Sequence, residues 1–280
     1  MSSISPSTIR DQFAEIISVE DHEIDLAQAA LLIAAEEYPR LDVDLYLERL
    51  DALADRVREN VANPLKAVGV IDSLNKTLFD EMGFHGNAEN YYDPRNSYLN
   101  EVIDRRTGIP ITLTVVYMEV ARRIGFSVKG VGLPFHFIAR HDSADGILFI
   151  DPFNEGHLMT SAECDELVTR ISGGKSDLRP EHLEPVTNKQ ILTRMLSNLV
   201  GVHSASDHRR ALASVERILL INPESATHVR DRGLLLAQIG DHSSAIAELE
   251  RYIEMTLNAP DADAIREQIK TLFQNQARLN

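Results

Sequence analysis

Two stretches near the C-terminus of this 280-residue chain, "SDHRRALASVERIL" (206–219) and "GDHSSAIAELERYI" (240–253), superpose at an offset of 34 residues. The alignment pairs Asp207 with Asp241, His208 with His242, Ala211 with Ala245, Ala213 with Ala247, Glu216 with Glu250 and Arg217 with Arg251. A repeat of this period restricts the fold severely, because each unit is a helix pair that cannot bury its apolar face alone and must stack on the next. Residues 188–280 are therefore expected to form an all-α helical-repeat domain. Ala211 and Ala245 supply the small residue that lets paired helices approach, and Pro223 ends a unit. Gly233 and Gly240 occupy the first-helix and turn positions of the second unit, where the first has Leu199 and Ser206 and is degenerate.

Upstream the texture differs. From about 22 to 82 the chain reads as amphipathic helices: "EIDLAQAALLIAAEEY" stops at Pro39, and Val43, Leu47, Leu50, Ala54 and Val57 fall three or four apart. Ile71, Leu74, Leu78 and Met82 repeat that spacing. "GFHGNAENYYDPRNSYL" has loop composition and leads into a short helix near 97–106. A nearly all-apolar helix follows at 110–124, opened by Pro110 and closed by Gly125. "SVKGVGLP", "FHFIARH" and "GILFIDPF" then read as short strands of an antiparallel sheet, with "SADG" as a turn, and Thr160 or Ser161 is placed to cap the next helix. The fold expected is α+β: residues 1–172 as one domain (helical cover 1–82, core 83–172), a linker at 173–187, then the repeats.

With 44% hydrophobic residues the chain can bury a substantial core. A formal charge of -15 repels phosphate backbones, so no nucleic-acid partner is expected. The N-terminus lacks the basic start and apolar centre of a secretion signal, and "LAQAALLIAA" is too short to span a bilayer, so the expectation is a soluble cytoplasmic protein without a membrane partner. One cysteine, Cys164, excludes an internal disulfide and a multi-thiolate zinc site. The ten histidines show no metal-ligand spacing, so neither metal nor cofactor is expected.

Two residues carry chemistry. His136 lies early on one expected strand and Asp151 at the end of the next, so the hairpin can make them neighbours; a carboxylate beside an imidazole fixes its tautomer and raises its basicity. The N-terminus of the helix at 110–124 would depress a thiol pKa and help hold an oxyanion.

The run "RRTGIPITL…EVARRIG…VGLPFHF…FIDPF" resembles the transglutaminase-like superfamily, a branch of the papain-like Cys/His/Asp fold. "YYDPRNSYLNEVIDRRTGIPITLTVVYMEVARRIG" followed by repeats of tetratricopeptide period is similar to its SirB-type bacterial branch. The resemblance spans roughly residues 20 to 275 and implies that His136 holds the histidine position and Asp151 the aspartate position. It also places the nucleophile of the enzymes at or beside Pro110, which has no nucleophilic atom.

His136 and Asp151 are therefore expected to be a vestigial pair, inherited as a buried polar contact. Cys164, in the first turn of a helix, is the candidate displaced nucleophile of an amide hydrolase or acyltransferase, although Glu163 and Asp165 flank it and a lone cysteine is usually a small buried hydrophobe. Asn96, Asn100, Thr112, His85 and Pro110 are candidates to line a binding site, against the plainer roles of cap, turn former and helix start. The function expected is that of a pseudoenzyme acting as an interaction or regulatory module, with a protein or peptide partner held by the helical repeats.

Overall fold

The computed structural model describes residues 6–61, 66–175, 177–256 and 259–279. Residues 1–5 and 62–65 of the expected helical cover, 176 of the expected linker, and 257–258 and 280 of the expected repeats lie outside the described residues. The fold is α+β, and the chain divides into two compact units, Met1–Met195 and Leu196–Asn280.

In the first unit, α1 (Pro6–Ile17), α2 (Leu26–Glu37), α3 (Val43–Asn60) and α4 (Ala67–Asn75) precede the core, and α4 continues into π-type turns over Lys76–Glu81. Nine of the residues of α2 are buried, so its apolar run needs no polar face. Asp25 starts α2 by accepting from Gln28 N at 2.9 Å, and Asp42 starts α3 by accepting from Leu45 N at 3.2 Å. The short α5 (Leu99–Arg105) is followed at once by α6 (Pro110–Arg123), the buried central helix, with eleven buried residues including Pro110 itself.

The sheet is antiparallel in the order β3 (Lys129–Val131), β4 (Ile138–Ser143), β5 (Gly146–Asp151), β6 (His157–Met159). Its register pairs Ala139 with Ile150 and Asp151 with His157. A second, two-stranded pairing is parallel: β1 (His85–Gly86) lies beside β2 (Thr107–Gly108). β1, β2 and β6 were not legible as elements, because two- or three-residue strands carry no periodicity, whereas α1 falls within the helical cover expected over 1–82. α7 (Ser161–Ser172) is capped by Thr160, whose Oγ1 accepts from Glu163 N at 3.3 Å while Glu163 Oε2 accepts from Thr160 N at 2.7 Å. Within 173–187, Val186 N donates to Gly130 O at 2.9 Å and Pro185 bridges Val131, so part of this stretch lies against β3. α8 spans Asn188–His203.

The second unit contains α9 (His208–Ile221), α10 (Ala226–Gln238), α11 (His242–Met255) and α12 (Ala262–Leu279). The bounds of α9 and α11 reproduce the sequence offset. The paired aspartates are their N-caps: Asp207 accepts from Arg209 N and Arg210 N, and Asp241 accepts from Ser244 N. Ala211 and Ala245 are fully buried, and a Cβ on Gly233 would lie 2.8 Å from the Leu249 side chain, which is how closely α10 and α11 approach.

Candidate functional site

β4 and β5 bring the expected pair together. His136 Nε2 lies 2.9 Å from Asp151 Oδ2, with the two side chains 6% and 1% exposed. Since a carboxylate only accepts, Nε2 carries a proton, and the other ring nitrogen is Nδ1. That nitrogen makes no hydrogen bond to any described residue.

Asp151 is held from several directions. It closes β5 and caps the 3-10 turn Pro152–Asn154, accepting from Phe153 N at 3.1 Å and from Asn154 Nδ2 at 2.6 Å. Burial pushes its carboxyl upward, but the hydrogen bond from His136 and the charge of that ring, with the hydrogen bonds from Asn154 and Phe153, together outweigh this and hold it below the usual carboxylate range. The Asp151 carboxylate thus accepts from the ring N–H of His136 and fixes the orientation of the imidazole.

His136 ends a turn, Leu133–His136, in which His136 N donates to Leu133 O at 3.2 Å. Pro134 and Phe135 are its central residues, and Phe135 has φ 61° with its ring 65% exposed. Glycine is the usual residue at such an angle, so a phenylalanine there is strained. Arg194, on α8, braces the turn by donating through Nη2 to Leu133 O at 3.0 Å and His136 O at 2.6 Å. Desolvation draws the Arg194 guanidinium down from its ordinary value, and no carboxylate among the described residues pairs with it. On the other side the Phe153 ring meets His136 edge-on at 5.9 Å and Tyr91 at 6.4 Å.

The start of α6 is tied to the same place through β1 and β2. Gly86 pairs with Gly108, and a Cβ on Gly86 would fall 2.6 Å from the Phe153 ring. Pro110 follows two residues after Gly108 as the first residue of α6. One turn later Thr114 Oγ1 donates to Phe137 O at 3.4 Å.

The other candidates have local roles. Thr112 Oγ1 accepts from Ile109 N at 3.1 Å and donates to Asn96 O at 2.8 Å, joining the start of α6 to the loop before α5. Asn96 is fully buried; its Nδ2 donates to Asn90 O at 2.8 Å and its Oδ1 accepts from Asn87 at 3.2 Å. Asn100 is buried with Oδ1 unpartnered, and His85 is exposed, with Nε2 3.2 Å from Thr107 Oγ1. Cys164 is fully buried in an apolar cluster with Val131, Leu133, Ile138, Phe149 and Met159. Burial, with smaller contributions from Asp151 and Glu163, pushes its thiol up to about 12. Among the described residues no hydrogen bond joins Cys164, His85 or Asn100 to the His136–Asp151 pair.

Asn154, Phe153, Gly86 and Arg194 shape the site and were missed in the sequence. Asp151 carried a turn signal, since an aspartate side chain commonly accepts from the backbone N–H two residues on, here that of Phe153, but nothing marked the Asn154 amide. Arg194 had none, lying on a helix remote in sequence. Among the described residues no group of three His, Cys, Asp or Glu could hold a metal, and no helix is long and apolar enough to cross a membrane.

This helical and four-stranded core, with its His–Asp pair and a following helical-repeat unit, defines a transglutaminase-like protein with a tetratricopeptide tail. The family model of the transglutaminase-like superfamily matches residues 44–197, and that of the tetratricopeptide repeat matches 201–270. A UPF0162 protein of Xylella fastidiosa is 39% identical over 259 residues, covering 90% of this chain and 91% of the relative. Another from Pseudomonas aeruginosa is 32% identical, covering 81% and 83%. The chain belongs to this UPF0162 family of the transglutaminase-like superfamily. The mouse F-box only protein 21 is 34% identical over 142 residues, which are 48% of this chain and 22% of that protein.

Proposed function

We propose that this protein is a pseudoenzyme, a transglutaminase-like domain without a nucleophile, and that it works in the cytoplasm as an interaction or regulatory module whose repeats hold a protein or peptide partner. The observation that carries this reading is a buried His136–Asp151 pair whose free Nδ1 has no thiol to deprotonate. Pro110 opens the helix at the position implied for the nucleophile. Cys164 lies in the apolar core with its thiol near 12, which keeps it protonated at neutral pH and unsuited to nucleophilic attack.

In this reading His136 and Asp151 are a structural remnant, and Asn96 and Thr112 fix the loop that fronts them. The alternative, with Cys164 as displaced nucleophile, requires a thiolate that burial opposes. The match to one fifth of an F-box protein supports a portable domain that serves different partners in different chains. Repeat units of the tetratricopeptide kind present concave surfaces to partners, which supports the binding role of the tail.

Restoring the missing atom tests the reading. Pro110→Cys alters a first-turn residue that the helix does not need for hydrogen bonding. Its added thiol should react with iodoacetamide at pH 7 about tenfold faster than the same thiol in a His136→Ala background, because a neighbouring imidazolium favours the thiolate. Equal rates would mean that Pro110 does not stand opposite the pair.

A further inference from the structure

A second site lies apart from the His136–Asp151 pair. A cavity of about 360 Å³ opens beside α3, lined by Leu53, Met82, Phe84 and Ile103 with Arg49, Arg56, Asp104 and Arg106 around them. This volume lies within the range of small-ligand sites, and the lining combines an apolar interior with a few charged groups, as such sites do.

The charges are unequally satisfied. Asp104 is engaged by Arg49 and by the Tyr46 hydroxyl, and Glu81 lies 3.4 Å from Arg56. Arg106 has no such partner: among the described residues no hydrogen bond or ion pair reaches its guanidinium. Its backbone is also unusual, ending α5 in the left-handed region at φ 54° and ψ 31°, where glycine is the ordinary residue. A long, exposed charged side chain is thus kept at a strained position at the edge of a cavity, its charge met by solvent and by no protein carboxylate.

We propose that this cavity binds a carboxylate carried on an apolar body, with Arg106 as the partner of the anion. A guanidinium grips a carboxylate through two parallel N–H donors. Leu53, Phe84 and Ile103, all less than 10% exposed, supply the apolar contact. Asp104 pairs with Arg49, and Glu81 with Arg56 and Lys76, so Arg106 is the lining guanidinium with no carboxylate beside it and takes one anionic group. The same chemistry is presented by a free carboxylic acid and by an acidic residue beside an apolar one in a peptide.

Methyl resonances of Leu53, Met82 and Ile103, followed in the full chain, test the site with two probes, phenylbutyrate and the capped dipeptide acetyl-Leu-Glu-amide. Both should shift these methyls by about 1 mM, the weak end of measurable affinity, while phenylbutyramide should not. Tighter binding of the dipeptide marks a peptide ligand, and tighter binding of phenylbutyrate marks a free acid. Arg106→Ala should weaken binding about tenfold. Arg106→Gly should weaken it equally while melting at or above the temperature of the parent, because glycine relieves the backbone. Unchanged affinity in Arg106→Gly, equal shifts from the amide, or no shift from either acid would overturn the proposal.

Discussion

At the residue scale, Asp151 is buried and held from three directions. It is 1% exposed, accepts three hydrogen bonds and titrates below the usual carboxylate range. Its linkage to stability has a definite sign: a carboxyl lowered in the folded state contributes fully above its unfolded value, about 3.8, and that contribution is lost as pH falls through the folded value. Asp151→Asn should therefore cost about 2 kcal/mol at neutral pH and flatten the acid limb of stability against pH, as read by urea denaturation at a series of pH values. An unaltered acid limb would mean that the carboxylate contributes no net stability. The His136–Asp151 contact was legible because a hairpin brings such positions together. Arg194 and Arg106 were not, since each acts through tertiary position, one bracing a turn remote in sequence and the other bordering a cavity.

At the scale of elements, short side chains decide how closely the pieces around the pair approach. Gly156, with φ 73°, lies where a Cβ would overlap Asn75 Oδ1 at 2.0 Å, and Asn75 Nδ2 donates to Gly156 O at 2.9 Å. Asn75 in turn accepts from the Tyr117 hydroxyl of α6 at 3.1 Å, so α4, α6 and the turn after Asp151 meet through one amide. Gly156→Ala should destabilise the first unit by about 2 kcal/mol or more, through both the backbone angle and the overlap, and a fall in thermal midpoint would register it. A midpoint within a degree of the parent would show that the turn relaxes freely. The helices α2, α3 and α6 were legible because apolar spacing or an unbroken apolar run sets their length. The two-residue strands β1 and β2 were not, because their existence depends on Gly86 and Gly108 lying flat against Phe153 and Thr112.

Over the whole molecule, a transglutaminase-like unit and a tetratricopeptide unit follow one another in a single chain. The repeat was the most legible part, since a period in sequence becomes a period in helices: α9 and α11 begin at His208 and His242 and each is capped by the aspartate before it. The proposed lack of catalysis depends on one premise, that no reactive sulfur accompanies the imidazole. Intact-mass spectrometry of the wild-type chain after incubation at pH 7 with a glutamine-containing peptide and with iodoacetamide, in separate reactions, measures this directly. We expect the native protein to keep its unmodified mass in both, and Cys164 to be alkylated only after unfolding. A covalent acyl adduct on the native chain, abolished by His136→Ala, would contradict it.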